Sequence, residues 1–135
     1  MGSIRPILPP VDGWALQVIS RGGLTTGDTG DLVIRSNGVV EYVSGGDAVR
    51  MARGDLNAIA QRIHGMDRSQ WTIGSRLGNC SDCVATLVVL TTRDADGIHR
   101  YIAFWDPTTR GRISPDVIKI HDLAVGSTRQ VAFGK

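Results

Sequence analysis

The stretch SRGGLTTGDTGDLVIRSNGVVEYV, residues 20–43, contains the pattern that decides the fold. Two short apolar runs, Asp31–Arg35 (DLVIR) and Val39–Val43 (VVEYV), flank the tripeptide Ser36-Asn37-Gly38. Because Asn and Gly tolerate the positive φ of a type I′ turn, this pattern predicts a β-hairpin. The Gly/Thr/Asp segment before it, from Arg21 to Gly30, is too long for a tight turn. It is either a plain connection between strands or a loop presented to a partner.

Three further segments have the composition of β-strands, being short, apolar and rich in β-branched or aromatic residues. They are Trp14–Ser20 (WALQVIS), Val84–Thr92 (VATLVVLTT) and His99–Trp105 (HRYIAFW). The tetrapeptide Asp94–Gly97 (DADG) predicts the turn between the last two. The run that starts at Val84 is apolar enough for a central place in a sheet.

Two segments have helical periodicity instead. In the first, Asp55 and Gly65 stand where an N-cap and a terminal Gly belong, which predicts a helix from Asp55 to His64. Its apolar stripe consists of Leu56, Ile59, Ala60 and Ile63. Ser114-Pro115-Asp116 opens the second helix, with Ser as the N-cap, and Gly126 is expected to end it. Its predicted inner face consists of Val117, Ile120, His121 and Ala124.

The predicted order is βββ-α-ββ-α, which is typical of an α+β fold. We expect an antiparallel sheet of about five strands with two helices on one face. The chain has 135 residues, enough for one core, and we place a single domain at residues 13–126. We expect residues 1–12 to form an extended, proline-containing lead-in, and its Met-Gly-Ser start is typical of a cloning remnant. We expect residues 127–135 to form a loose tail.

Composition narrows the class of protein. The net charge is only +2 and the basic residues form no run, which argues against nucleic acid as the main partner. The longest apolar runs, such as Val84–Leu90, are too short to span a bilayer. The sequence shows no signal peptide, but a leader removed in cloning would leave the same start. We therefore expect a periplasmic or secreted protein in that case and a cytoplasmic one otherwise.

The motif Cys80-Ser81-Asp82-Cys83 is open to three interpretations. A redox dithiol requires a helix after the first Cys, whereas Cys83 leads into a predicted strand. A zinc site needs two further ligands, and the three His residues show no ligand spacing. A local disulfide or structural thiol pair is the favoured interpretation, with a metal site and a redox pair as the alternatives.

Catalytic chemistry has little support in the sequence. Glu41 is the single Glu and lies in a predicted strand, while the Asp residues occupy turns and caps. His121 is interpreted as a packing residue on a helix face. No grouping of a nucleophile, its base and an oxyanion donor is evident. We predict a non-enzyme with no catalytic residues, no metal and no cofactor.

The segment Arg21, Gly22, Gly23, Leu24 is the predicted partner-binding site. The Gly pair permits backbone conformations that other residues avoid and lets a second backbone approach closely. Leu24 adds an apolar side chain in a loop. The alternative is that Gly22-Gly23 forms a β-bulge and Leu24 returns to the core.

Element order and three short motifs carry a resemblance over about residues 14–125. The motifs are Ser20-Arg21-Gly22-Gly23-Leu24 at the end of the first strand, the Ser36-Asn37-Gly38 turn, and Cys80-Ser81-Asp82-Cys83 before the strand at Val84. With these features the chain resembles the emfourin-type proteins, which are small bacterial inhibitors of thermolysin-like metallopeptidases. The resemblance implies a protein partner of that class. The alternatives are a metal- or small-molecule-binding domain built on Cys80 and Cys83, and an accessory subunit of a larger complex.

Overall fold

The computed structural model describes residues 8–22, 31–42, 47–80 and 83–133, with side chains of the last helix as far as Ser127. It confirms the α+β class, with one antiparallel sheet and two helices. The strands are β1 (Trp14–Gly22), β2 (Leu32–Arg35), β3 (Val39–Tyr42), β4 (Val49–Arg50), β5 (Val84–Asp94) and β6 (Gly97–Trp105). The helices are α1 (Arg53–Gly65) and α2 (Pro115–Phe133). The strand order in the sheet is β4-β3-β2-β1-β5-β6.

The hairpin of β2 and β3 is present, but its turn differs from the predicted type. Ile34 pairs with Val40, and the Gly38 N–H donates to the Arg35 carbonyl over 2.8 Å. Gly38 has a φ of +92°, whereas Asn37 is not among the described residues with positive φ. A type I′ turn needs two positive φ values, so that prediction is wrong. A three-residue loop that ends in a left-handed Gly satisfies the same sequence.

The sequence did not predict the two-residue strand β4. It pairs with β3 through Val40 and Val49 and leads directly into α1. The helix starts at Arg53, and Ala52 precedes it without a side-chain cap. The predicted N-cap, Asp55, is therefore wrong. Met51, just before the helix, is buried. Asp55 lies in the first turn, where its negative charge interacts favourably with the helix dipole.

The core lies between the two helices and one face of the sheet. Ile59 and Ile63 of α1 and Val117, Ile120 and Ala124 of α2 join it, as their spacing predicted. From the sheet come residues at alternate positions, among them Trp14, Leu16, Val18, Ile34, Val88 and Leu90. Burying each large apolar side chain stabilises the fold by roughly 1.5–3 kcal/mol. Trp71, in the segment between α1 and β5, is fully buried in this cluster.

The predicted end of α2 at Gly126 is wrong, and so is the loose tail that begins at residue 127. The helix continues to Phe133, and Gly126 does not take a positive φ. Gly inside a helix costs only about 1 kcal/mol relative to Ala. The burial of Ala124 and Ser127 on either side offsets that cost. In the described part of the chain, neither helix has the length and apolarity needed to cross a membrane.

Candidate functional site

The sheet face opposite the helices is largely apolar; we call it the open face. Ala15, Val33 and Thr91 are buried on this face, whereas its apolar side chains on β6 stay exposed. Its residues alternate with the core residues along each strand. Register aligns Ile19, Leu87 and Phe104 in one row across β1, β5 and β6, and it aligns Val89 with Ile102 in the next. Phe104, Ile102 and Ile98 are 36%, 41% and 48% exposed. Large exposed apolar patches typically mark interaction sites.

Strand β5 explains why this face is apolar. It lies between β1 and β6 and carries apolar residues at successive positions from Leu87 to Leu90. That composition is typical of a strand buried on both faces, whereas one-sided antiparallel strands alternate with polar residues. Here Val88 and Leu90 meet the helices, while Leu87 and Val89 remain half-buried on the open face.

Arginines surround the apolar centre of the open face. At one end, Arg21 forms an ion pair with Asp31 over 2.7 Å, and Asp31 also accepts the backbone N–H of Ser20. Arg35 pairs with Glu41 over 2.6 Å. At the other end, Arg100 is exposed and forms no ion pair with any described residue. The rim therefore carries more positive than negative charge.

The predicted partner-binding segment is only partly a loop. Arg21 and Gly22 belong to β1 and pair with Ala85 and Val84 of β5, so the predicted loop start at Arg21 is wrong. The pairing arises because β5 is long enough to extend β1 beyond Ser20. The Arg21 side chain is 65% exposed, and its register places it on the open face two residues beyond Ile19. Gly23 and Leu24 lie outside the described residues.

The structure brings the two predicted sites close together. Cys80 and Cys83 form a disulfide, with their Cα atoms 5.4 Å apart. Because Gly22 pairs with Val84, the end of β1 lies beside the residue that follows Cys83. The disulfide therefore stands next to the point where the chain leaves β1. Among the described residues there is no group of three or more His, Cys, Asp or Glu that could hold a metal ion.

Asp106 organises a junction that the sequence did not indicate. Its carboxylate accepts the backbone N–H of Gly78 over 2.7 Å and that of Thr108 over 2.8 Å. These hydrogen bonds, above all the one from the Thr108 hydroxyl, lower the pKa of Asp106. The hydroxyl of the neighbouring Thr109 donates to the Arg76 carbonyl over 2.7 Å. The junction fixes residues 76–78 to the loop after β6, which is a structural task.

His121 packs on the inner side of α2, as predicted. Its ring meets Trp105 edge-to-face at 5.2 Å, and its Nδ1 lies 3.0 Å from an Asp122 oxygen. Arg110 holds the same carboxylate through both oxygens, at 2.9 and 3.1 Å. Burial lowers the pKa of His121. Its described contacts are thus with a ring and an ion pair, which suits packing better than general-base chemistry.

A groove of about 550 Å³ lies on the helix side of the sheet, between the end of α1 and the start of β6. The Arg68 guanidinium lies 5.2 Å from the centre of the Tyr101 ring, and His99 Nε2 lies 3.4 Å from an Asp94 oxygen. The N–H of Asp96 is the main cause of the lowered pKa of Asp94. The groove carries both charges and converges on no single ligand chemistry.

Comparison with protein-family models, with curated proteins and with solved structures gave no match for this chain. The described surfaces and their chemistry therefore carry the evidence for function. Of these, the open face combines exposed apolar area, a rigid support and an adjacent predicted contact segment.

Proposed function

We propose that this protein is a non-enzymatic protein-binding domain, and most specifically an inhibitor of a bacterial thermolysin-like metallopeptidase. The observation that supports protein binding is the open face, where Ile98, Ile102 and Phe104 of the edge strand β6 stay exposed beside the half-buried Leu87 and Val89 of β5. The peptidase class comes from the resemblance carried by the Ser20–Leu24 and Cys80–Cys83 motifs.

Binding through this face has a favourable physical basis. Each Å² of apolar surface removed from water contributes about 25 cal/mol. The residues stand on a sheet whose strands are already paired, so little conformational freedom is lost on docking. A partner seated over Ile19 would also meet Arg21 at the end of the same face, and the segment from Gly22 to Leu24 continues from there.

The nearby disulfide fits this role. It fixes the start of β5, and β5 supports Arg21 and Gly22 through the backbone pairs with Ala85 and Val84. A contact segment that leaves a fixed strand end loses less entropy on binding than a free loop does. The Arg21–Asp31 ion pair holds the other side of the same exit.

The test is an inhibition assay with a thermolysin-like peptidase from the same genome and a chromogenic peptide substrate. We expect the wild-type protein to reduce hydrolysis and Gly23→Trp to abolish the reduction, because the indole blocks close backbone approach. Phe104→Asp should weaken inhibition by placing a charge on the open face. Lys119→Ala, on the helix side of the molecule, is the matched control and should inhibit normally.

Full peptidase activity at a large molar excess of the protein would rule out the inhibitor proposal. Inhibition that is unchanged in both Gly23→Trp and Phe104→Asp would place the contact elsewhere and would contradict the proposed surface.

A further inference from the structure

The backbone groups along the outer edge of β6 have no partner strand in the described part of the chain. β6 is the last strand in the sheet order. Successive N–H groups of a paired strand point to alternate sides. Phe104 donates its N–H outward, to the Ser75 hydroxyl over 3.1 Å, so the N–H groups of Ile98, Arg100 and Ile102 also point outward. Among the described residues, these three have no hydrogen-bond partner.

The available edge is short and well defined. At one end the hairpin closes at Gly97, and at the other Ser75 occupies the edge beside Phe104. Five residues, 98–102, remain between these limits. Their core-side neighbours His99 and Tyr101 line the open groove.

The charge on this edge selects the occupant. Arg100 stands at its centre, exposed and without an ion-pair partner among the described residues, and the 48% and 41% exposed side chains of Ile98 and Ile102 flank it on the open face. A second copy that paired antiparallel about this centre would place one Arg100 opposite another. Like charges directly opposite each other destabilise a strand pair, whereas opposite charges stabilise it. The edge therefore disfavours pairing with the same edge of a second copy, and its charge is complementary to that of an acidic strand.

We infer that the β6 edge from Ile98 to Ile102 binds an extended acidic peptide segment of another protein, as a seventh antiparallel strand. Backbone hydrogen bonds to Ile98, Arg100 and Ile102 supply affinity. Side chains of an added strand repeat every second residue on one face, so the segment has an acidic residue between two apolar ones in the pattern apolar-x-acidic-x-apolar. This edge adjoins the open face, because Ile98 and Ile102 belong to both, but it is distinct from the contact proposed at Arg21–Leu24. Arg100 is aligned through Thr91 with Ala15, whereas Arg21 lies further along β1 and pairs with Ala85.

The experiment uses a short capped peptide with Val, Glu and Val at alternate positions and Thr between them, labelled for fluorescence anisotropy. We expect saturable binding to the full chain and affinity about tenfold weaker for Arg100→Glu, which corresponds to about 1.4 kcal/mol. A peptide with Lys in place of Glu should bind Arg100→Glu more tightly than it binds the wild-type protein. Arg53→Glu, at the exposed start of α1, is the matched charge control and should bind like wild type.

Amide hydrogen exchange followed by NMR locates the contact. The peptide should slow exchange at Ile98, Arg100 and Ile102, whose N–H groups point outward, more than at His99 and Tyr101, which already face β5. No saturable binding, equal binding to wild type and Arg100→Glu, or protection confined to other strands would overturn the inference. Protection of these amides at high protein concentration without peptide, with a dimer in sedimentation, would make a second copy the occupant and also overturn it.

The peptide-binding experiment and the inhibition assay can succeed or fail independently. Gly23→Trp is expected to bind the peptide with wild-type affinity, since the strand end at Gly22 lies far from Arg100 in the register. Loss of peptide binding in Arg100→Glu together with unaffected peptidase would support the edge site alone.

Discussion

The two faces of the sheet use alternate residues of the same strands, yet one is a closed core and the other is open. Along β5, Val88 and Leu90 are fully buried beneath the helices, while their neighbours Leu87 and Val89 are half-buried. Along β6, Trp105 is buried and Phe104 is 36% exposed. Both faces are apolar, so the difference arises from where α1 and α2 pack. The open face thus carries more apolar surface than the described chain covers.

The largest expected effect contrasts two leucines of β5. Leu90→Ala removes a fully buried side chain and should lower the free energy of unfolding by about 2–5 kcal/mol. Leu87→Ala, three residues away on the open face, should cost less than half as much, because part of that side chain already contacts water. Urea unfolding measures the two losses in free energy, provided that the m-values stay the same as in the wild type. Equal losses would mean that other parts of the chain cover the open face.

The second prediction concerns the Asp106 junction, at the border between core and surface. The buried Thr109 hydroxyl donates to the Arg76 carbonyl and accepts the Asp106 N–H over 3.0 Å. Thr109→Val keeps the shape but leaves both groups unpaired, so the free energy of unfolding should fall by about 1–3 kcal/mol. Thr108→Val, at an exposed position, is the matched control. It should lower the free energy of unfolding by less, because water can replace the hydroxyl of Thr108. The reverse order would show that the junction is not held by Thr109.

Local patterns in the sequence predicted the elements well and their limits poorly. The helical spacing of Ile59 and Ile63 and the turn at Asn37-Gly38 are local patterns, so the sequence alone predicts the helix and the hairpin. The extension of β1 through Gly22 depends on pairing with Val84, and β4 on pairing with β3. Gly126 stays helical because Ala124 and Ser127 are buried around it. These outcomes are set by contacts between distant residues, which a single sequence does not display.

The candidate sites show the same division. The apolar run at Val84–Leu90 predicted a central strand, but the sequence does not say which of its faces the helices leave uncovered. The Asp106 carboxylate meets Gly78 across 28 residues, a contact with no local signal. The position of β6 at the edge of the described sheet follows from the strand order, which local sequence patterns do not assign. The sequence shows only the alternation of Ile98, Arg100 and Ile102, which places the three side chains on one face of a strand.

A smaller effect is expected from the Cys80–Cys83 pair, which lies beside the exit of β1. A bond that closes so short a loop removes little entropy from the unfolded chain, so Cys80→Ser/Cys83→Ser should lower the free energy of unfolding by at most about 2 kcal/mol. We expect the double variant to fold, as checked by circular dichroism and urea unfolding.

Two measurements distinguish the disulfide from a free thiol pair and from a zinc site. Mass spectrometry after alkylation without reductant should find the pair oxidised if the protein is exported and free if it stays in a reducing cytosol. Elemental analysis of protein purified without a metal column tests the zinc alternative. A double variant that fails to fold, together with stoichiometric zinc in the wild type, would favour a metal site over a disulfide.

The smallest effect is a pH dependence that arises on the covered side. Burial against Trp105 lowers the pKa of His121 in the folded protein, although Asp122 opposes this and Arg110 adds to it. The unfolded chain, with an ordinary His pKa near 6.5, therefore binds a proton first as the pH falls. The free energy of unfolding is highest above that pH and decreases on acidification toward the lower folded-state pKa. His121→Phe keeps a ring beside Trp105 and removes the titration. Urea unfolding at about pH 7.5 and about pH 5 should show a smaller acid-induced loss in this variant than in wild type. An identical loss would mean that the protonation of His121 is not coupled to folding.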